Sequence, residues 1–432
     1  MVREYKDSGI EWIGEIPKEW VLRRIQTSLY EINQKNSPIQ TDFVLSLTNK
    51  DGVIPYEEKG DLGNKSKDNH DEYKLAYPNT IIANSMNILI GSVGISNYFG
   101  CVSPVYYVYK NYENADLRFF NYVFTTVPFQ KKLRTHANGI LEIRLRVSSD
   151  TILKQEIATP SLYEQQKIAD YLDKVCGEVD EMVALQETMI EELKAYKQSV
   201  ITEAVTKGLN PNVPMRNSGI DWIGEMPEHW GMQRLKTLGW TQNGISQSGD
   251  YFGEDYAYPF VSYSDAYKNY SLPYPSGRAN SSEEDRQRYS LIEGDVLFTR
   301  TSETIEEIGF ASTCIETIPN SVYSGFLIRF RPTSDKLFKG FSKYYFRSQV
   351  HRAYFVKQMN IVTRASLGQD LLKNLVVLLP PIDEQHSIAS YLDTKCSEID
   401  SLIAIKQAKI EELKEYKKSV IYEYVTGKKE VI

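Results

Sequence analysis

Two stretches of the chain carry apolar residues at mostly alternating steps of three and four, the second keeping part of the pattern of the first. The first holds Ile168, Leu172, Val175, Val179, Met182, Leu185, Met189, Leu193, Tyr196 and Val200. The second holds Ile388, Leu392, Ile399, Leu402, Ile405, Leu413, Tyr416 and Val420. Such spacing is the heptad signature of a helix that packs along one seam, with a stutter-like slip at Leu185. Each stretch follows a proline, Pro160 in one case and Pro380-Pro381 in the other, as a helix start should. The pattern predicts long helices over 161–209 and 381–432. A 43-residue helix spans roughly 65 Å, too long to cover one ordinary domain. Two independent amphipathic helices are one reading. The favoured one is an antiparallel coiled coil in which the two helices pack on each other about a pseudo-two-fold axis.

Elsewhere the pattern changes period. Thr80–Leu89 and Asp295–Thr304 each read as a short apolar strand running into a polar loop. Val102–Tyr109 and Gly325–Arg331 alternate, as half-buried strands do. Asp116–Phe129 and Lys336–Gln358 return to helical spacing with many aromatics. These mixed regions predict two α/β or α+β domains.

The same order of elements occurs twice. DSGIEWIGEIPKEWVLRRI at 7–25 returns as NSGIDWIGEMPEHWGMQRL at 217–235, with ten of 19 positions identical. The helix stretch 164–206 returns at 384–426 with 24 of 43 identical, at an offset of 220. Between these blocks the halves share only scattered features. The division is therefore a first variable domain (1–160, with a Trp block at 7–25), a long helix (161–209), a second variable domain (210–380, Trp block 217–235) and a second long helix (381–432). A common frame carries two different heads.

Composition then sharpens this. The chain has 432 residues and a net charge of −7, which on its face argues against a polyanionic partner. The acid sits on the frame: the helix segments carry −5 and −2 and residues 1–20 and 210–230, which hold most of each Trp block, −2 each, whereas the rest of each head, 21–160 and 231–380, carries +2. The base is bunched late in each head. The first has Lys131, Lys132, Arg134, His136, Arg144, Arg146 and Lys154; the second has Arg329, Arg331, Lys336, Lys339, Lys343, Arg347, Arg352, Lys357, Arg364 and Lys373, with few acids nearby in sequence. Such runs are either solvated faces or a phosphate footprint. Arg144 and Arg364 correspond at the 220 offset, and either a structural ion pair or a phosphate or guanine contact suits them.

Catalytic signatures are lacking. There is no phosphate-cradling GxxxxGK[ST], and Gly91-Ser92-Val93-Gly94 lacks the third glycine of a dinucleotide fingerprint. NPNVP at Asn210–Pro214 lacks the second proline and the aromatic of an adenine-methyltransferase motif and reads as a turn. Four dispersed cysteines and five histidines suggest no zinc site and no catalytic triad. With no secretory h-region and no membrane-length apolar run, a cytoplasmic, non-enzymatic binding subunit without metal is expected.

The arrangement resembles the DNA-specificity subunits of type I restriction–modification systems. The resemblance rests on IEWIGEIPKEW (Ile10–Trp20) and IDWIGEMPEHW (Ile220–Trp230), on PSLYEQQKIADYLD (Pro160–Asp173) and PPIDEQHSIASYLD (Pro380–Asp393), and on the helix tails Ile190–Gly208 and Ile410–Lys428. The first copy departs modestly, with Thr159-Pro160-Ser161 where the second has Pro380-Pro381. The resemblance implies two target recognition domains that each read half of a bipartite duplex site. It implies helices that set the spacer, and two adenine-N6 methyltransferase subunits as partners, with motor–nuclease subunits joining them. S-adenosylmethionine and ATP with Mg would act in those partners, leaving this chain without a cofactor.

On this reading the loops after corresponding strands are candidates for base contact: Asn84, Ser85 and Asn87 in the first head, and Arg300, Thr301 and Ser302 in the second. Asn suits adenine and Arg suits guanine; all six are equally suited to plain turns. Lys131, Lys132, Arg134, Arg144, Arg146, Lys343, Arg347, Arg352, Lys357 and Arg364 are the candidate DNA-binding cations. The acidic helix faces, with Glu178, Asp180, Glu191, Glu192, Glu398, Asp400, Glu411 and Glu412, suit a methyltransferase interface, because they repel phosphate. The competing class is a coiled-coil interaction scaffold with two protein-binding heads and no DNA.

Overall fold

A computed structural model describes residues 3–48, 51–60, 66, 69–137, 145–246, 251–302, 308–358 and 365–431. The chain divides into two compact units, one made of Met1–Glu187 with Gln407–Ile432 and the other of Thr188–Lys406. Both long helices are unbroken, over Leu162–Lys207 and Ile382–Val425. Each helix therefore contributes to both units, a division the sequence-based boundaries did not contain.

In the first unit, Tyr5–Asp7 pairs antiparallel with Glu15–Pro17, and Val21–Arg24 pairs with Glu156–Thr159, the strand that leads into the first long helix. The way into the head thus lies beside the way out. The second unit repeats this with Met215–Asn217 on Glu225–Pro227 and Gly231–Arg234 on Val376–Leu379. Between these necks lies a four-stranded antiparallel sheet in each unit. In the first its order is Leu29–Glu31, Tyr106–Asn111, Thr80–Asn84, Val93–Ser96. In the second it is Gly239–Asn243, Leu327–Pro332, Val296–Thr299, Ala311–Thr313. The two variable heads have the same sheet order, although little of their sequence matches. Thr80–Asn84 and Val296–Thr299 are buried at every position, which accounts for their continuous apolar runs.

Two expected elements are shorter than their patterns. The alternation over 102–109 covers two strands, Gly100–Val102 and Tyr106–Asn111, because Pro104 cannot continue a ladder. The helical spacing over 116–129 covers Leu117–Thr125 and part of Val127–Arg134, with an extended Thr126 between them and Pro128 in the first turn of the second helix. Lys336–Gln358 likewise resolves into Lys339–Tyr345 and Gln349–Gln358. NPNVP forms a turn in which the Asn212 N–H donates to Asn210 Oδ1 at 3.0 Å.

The recurring Trp and Glu-Gln residues meet in a buried joint. In the first unit, Trp20 is fully buried and its indole N–H donates to Glu164 Oε2 at 2.9 Å. Arg3 donates to the other oxygen of Glu164 at 2.6 Å. Gln165, 1% exposed, accepts from the Asp116 N–H at 2.9 Å and donates to the Pro160 carbonyl at 3.0 Å. In the second unit, Trp230 donates to Glu384 Oε2 at 2.9 Å, and His229 lies 2.6 Å from Oε1. Gln385 accepts from the Phe338 N–H at 2.8 Å and donates to the carbonyls of Lys336 and Pro380. The same indoles cover the ends of the opposite helices. Gly427 and Gly208 end them with φ of +73° and +77°, a conformation that favours glycine, and a Cβ on Gly208 would lie 3.2 Å from the Trp230 ring. The departure at the first helix start has a local effect: Ser161 Oγ accepts from the Glu164 N–H at 3.3 Å, a cap that Pro381 cannot supply.

Within each unit the two helix segments run antiparallel. In the first, Tyr171 meets Tyr424 with ring centroids 4.5 Å apart and Lys417 donates to both oxygens of Asp180 at 2.6 and 2.7 Å. In the second, Lys197 donates to both oxygens of Asp400 at 2.7 Å. Ile168, Leu172 and Val179 are buried with Val420 and Ile421, and Ile201 and Val205 with Ile388 and Leu392. The heptad reading expected one continuous seam. Instead Met182, Leu185, Met189, Tyr196, Leu402, Ile405 and Tyr416 are exposed. Towards its own start each helix also packs on a head, which deepens burial, whereas two helices alone cover only a narrow stripe. All four cysteines are free and buried, and burial pushes the Cys176 thiol up to about 11.

Replacing Gln165 with Ala leaves the Asp116 N–H and the Pro160 carbonyl without their partner. The expected cost is about 1–3 kcal/mol, read as a lower urea midpoint for loss of structure in the first unit. An unchanged midpoint would show that the joint is not needed.

Candidate nucleic-acid interface

The loop after the central strand is tied in the same way in both heads. In the first, the Ser85 N–H donates to Val105 O at 3.2 Å and the Val147 N–H donates to Ser85 O at 3.1 Å. In the second, the Arg300 N–H donates to Phe326 O at 2.9 Å and the Leu367 N–H to Arg300 O at 2.7 Å. Three segments far apart in sequence are thus laid side by side: the strand-end loop, the tip before the neighbouring strand, and the stretch that leads to the last short helix. Val147 and Leu367 are fully buried anchors. The backbone frame is common to the two heads and the side chains on it differ.

On the first-head frame, Asn84 and Ser85 are buried, at 7% and 4% exposure, and Asn84 Oδ1 accepts from the Met86 and Asn87 N–H groups. They shape the loop. Asn87 is exposed at the start of the turn Asn87–Ile90, and Arg146 is exposed beside buried Val147. The structure therefore joins two separately chosen candidates, the loop and the arginine, on one platform. On the second-head frame, Arg300 is half-buried, with Nη1 3.5 Å from Gly325 O. Thr301 is also half-buried; Thr301–Ser302 pairs with Ala365–Ser366, and the Thr301 carbonyl accepts from the Tyr263 hydroxyl at 2.9 Å. Arg144 and Arg364 lie outside the described residues, as does the side chain of Arg352.

The basic runs differ between the heads. Lys131, Lys132 and Arg134 are exposed in the last turn of Val127–Arg134, and no ion pair among the described residues engages them. Lys131 and Lys132, with Arg24, His136 and Lys154, line an open cleft of about 880 Å³ beside the Trp12 loop. The second-head run looked poor in acids because its acids come from elsewhere in the sequence. Lys343 pairs with Asp393, Lys357 with Asp221 at 2.6 Å, Lys339 with Glu293 at 2.8 Å, and Arg331 with Asp295 at 2.6 Å. Arg347 donates to four carbonyls, those of Ala266, Tyr267, Asn269 and Ala311, and lies 4.8 Å from the Phe310 ring centroid. Burial holds its guanidinium below the ordinary arginine value. Arg329, fully buried, lies between the Trp240 and Tyr323 rings at 4.7 and 5.4 Å. Arg329, Arg331 and Arg347 tie the second head together and Lys343 ties it to its helix, whereas Lys357 and Asp221 form an exposed pair of small energetic weight.

A clasp of that kind recurs, and the sequence pattern did not reveal it. Tyr122 donates to Asp173 Oδ1 at 2.7 Å and Tyr344 to Asp393 Oδ1 at 2.8 Å. Burial, then the bond to the carboxylate, pushes both phenols well above their ordinary value. Arg118 adds bonds to Asp170 and Asp173 in the first unit, where Lys343 serves in the second. The signal was present: Asp173 and Asp393 are identical at the 220 offset.

The eight candidate acids on the helices are all exposed. Asp180 and Asp400 bridge the helices through Lys417 and Lys197. Glu191, Glu398, Glu411 and Glu412 pair with lysines three residues away on their own helix, exposed pairs of small energetic weight. Glu178 and Glu192 have no ion pair among the described residues. No described helix is long and apolar enough to cross a membrane.

Replacing Arg347 with Lys keeps the charge but loses the fork that spans four carbonyls. A cost of about 1–3 kcal/mol is expected, seen as a lower urea midpoint of the second unit. The same exchange at exposed Arg134 should leave that midpoint in place.

Residues 17–195 and 227–415 each match the type I restriction modification DNA specificity domain. The chain is similar to the EcoKI specificity subunit of Escherichia coli K12, 28% identical over 264 residues that cover 57% of this chain and 53% of that one, about half its length. It is similar to the MjaVIII specificity subunit of Methanocaldococcus jannaschii, 23% identical over 96% of this chain and 93% of that one. A solved structure described as the basis of complex assembly and conformational transition of the type I R-M system shares the fold, with a TM-score of 0.71 at 16% identity, covering 95% of this chain and 98% of the other.

Proposed function

The chain belongs to the family of type I restriction modification DNA specificity proteins, and from that premise we propose that it reads a bipartite duplex sequence, one half with each head. The observation that carries this is the repeated platform: one backbone frame, tied by equivalent hydrogen bonds at Ser85 and Arg300, dressed with unlike side chains. A frame that holds position while its side chains change suits the reading of two different half-sites. Base edges in the major groove distinguish all four pairs, and Asn and Arg are the side chains that match adenine and guanine. In the first head Asn87 and Arg146 are the base-reading candidates, and in the second Arg300 and Thr301. Asn84 and Ser85 support their loop from beneath.

Lys131, Lys132 and Arg134 supply phosphate contacts, which position the protein without specifying sequence. Lys343, Arg347 and Lys357 act on the protein's own carboxylates and carbonyls instead. The long helices, which the chain shares between its two units, set the number of base pairs between half-sites. Their acidic faces, with Glu178 and Glu192 foremost, dock two methyltransferase subunits, and motor–nuclease subunits complete the restriction enzyme. Chemistry on DNA resides in those partners, with S-adenosylmethionine and ATP with Mg bound there and no cofactor in this chain.

Single-molecule sequencing of host DNA, with and without this gene, tests the reading. Gene-dependent adenine methylation at a bipartite motif is expected, and its absence overturns the proposal. Inserting one helical turn into both long helices should alter the spacer and leave both half-sites unchanged; an unaltered spacer removes the helices from that role. Replacing Lys131, Lys132 and Arg134 with Gln in the reconstituted methyltransferase complex should weaken binding about equally on all sequences. It should also lower the slope of log affinity against log salt by about one for each phosphate no longer neutralised.

A further inference from the structure

The tip beside Arg300 carries a residue that neither packing nor charge accounts for. Phe326 is 61% exposed, the most exposed phenylalanine among the described residues. One exposed apolar side chain is ordinary on most surfaces. This one stands on a tightly pinned backbone. Its carbonyl accepts from the Arg300 N–H at 2.9 Å, and its N–H donates to Ser324 Oγ at 3.3 Å. The neighbouring N–H groups of Gly325 and Leu327 donate to Ile245 O at 2.7 Å and Ser324 O at 2.9 Å. Gly325 admits no side chain, because a Cβ would collide with Ser246 Oγ and approach Ile245 O to 2.9 Å. The backbone therefore fixes the point and direction from which the ring projects.

The second observation is the neighbour. Arg300 Nη1 lies 3.5 Å from Gly325 O, which brings the guanidinium to the tip that bears the ring. Such a contact is long, and among the described residues no other hydrogen bond or ion pair engages the donor fork. A fork of donors and an apolar ring side by side are complementary to two adjacent base pairs in a major groove. The fork fits the two acceptors of guanine, and the ring fits the C5-methyl of thymine, the one apolar group that groove displays. At the equivalent point of the first head stands Val105, whose carbonyl accepts from the Ser85 N–H at 3.2 Å; it is smaller and half-buried, so this feature belongs to the second head alone.

We infer that Phe326 is a specificity-determining residue that contacts a thymine methyl next to the base pair held by Arg300. This rests on the DNA-reading role proposed above. The test replaces thymines of the second-head half-site with uracil, one at a time, which removes only the methyl. Binding is measured with the reconstituted methyltransferase complex. At one thymine, beside a guanine, the native complex should bind uracil roughly fourfold more weakly, as the removal of one methyl-sized apolar group predicts. Phe326→Ala should bind thymine and uracil there alike, while Phe326→Leu should keep part of the difference. A urea midpoint unchanged in Phe326→Ala would exclude misfolding as the cause.

The inference is overturned if the half-site has no thymine, if no uracil exchange weakens native binding, or if Phe326→Ala weakens every sequence equally, which would make the ring a sequence-independent wedge. If the native complex shows no preference for its site over unrelated duplex, the DNA-reading role itself fails. That outcome is separate from failure of the methyl contact.

Discussion

The fold depends on a hydrogen bond between a buried indole and a helix-start carboxylate. Trp20 with Glu164, and Trp230 with Glu384, each close at 2.9 Å. A carboxylate at the first turn of a helix is favoured by the unpaired N–H groups there, and a buried indole N–H is stabilised by an acceptor of this kind. The next residue, Gln165 or Gln385, binds the head's backbone. Two consecutive side chains thus index three things to one helix start: the Trp block, the head's helix, and the glycine that ends the other long helix. No reorientation of a head on its frame is possible without breaking the bonds of the buried indole and the buried glutamine.

Much of this was legible in the sequence, in proportion to how local the cause was. The repeat, both long helices and the central apolar strands follow from spacing alone. Pro104 and Pro128 mark breaks that the alternating and helical patterns ran across, since apolar periodicity does not register a missing donor. The heptad positions from Met182 to Tyr196 read as core because periodicity reports a face, not the depth to which it is covered. The basic run from Arg329 to Lys373 read as a free patch because Asp221, Glu293, Asp295 and Asp393 are distant in sequence. Electrostatic pairing is set by tertiary neighbours, and only folding reveals them.

The same logic separates the two heads. Each uses one sheet order and one set of loop ties, yet the first leaves Lys131, Lys132 and Arg134 outside any ion pair among the described residues, while the second turns most of its cations inward. Arg347 and Arg329 replace apolar packing with guanidinium groups placed on aromatic rings and bonded to carbonyls. Equal backbone and unequal surface is what lets one architecture accept unrelated contact residues.

The division of the chain into units bears on how the protein is made. The second unit is one continuous stretch, Thr188–Lys406, set inside the first. During synthesis its whole sequence is present before Gln407 has been added. The first unit must wait for the last segment, in which Tyr422 reaches the Trp12 carbonyl and Lys428 that of Glu15. Until then Trp20 lacks its Gly427 neighbour, and the faces of Ile168 and Leu172 that meet Val420 and Ile421 stay uncovered. At about 5–20 residues per second, the intervening stretch Thr188–Lys406 alone takes on the order of 10–40 s. The half of the protein that is translated first is therefore the half completed last.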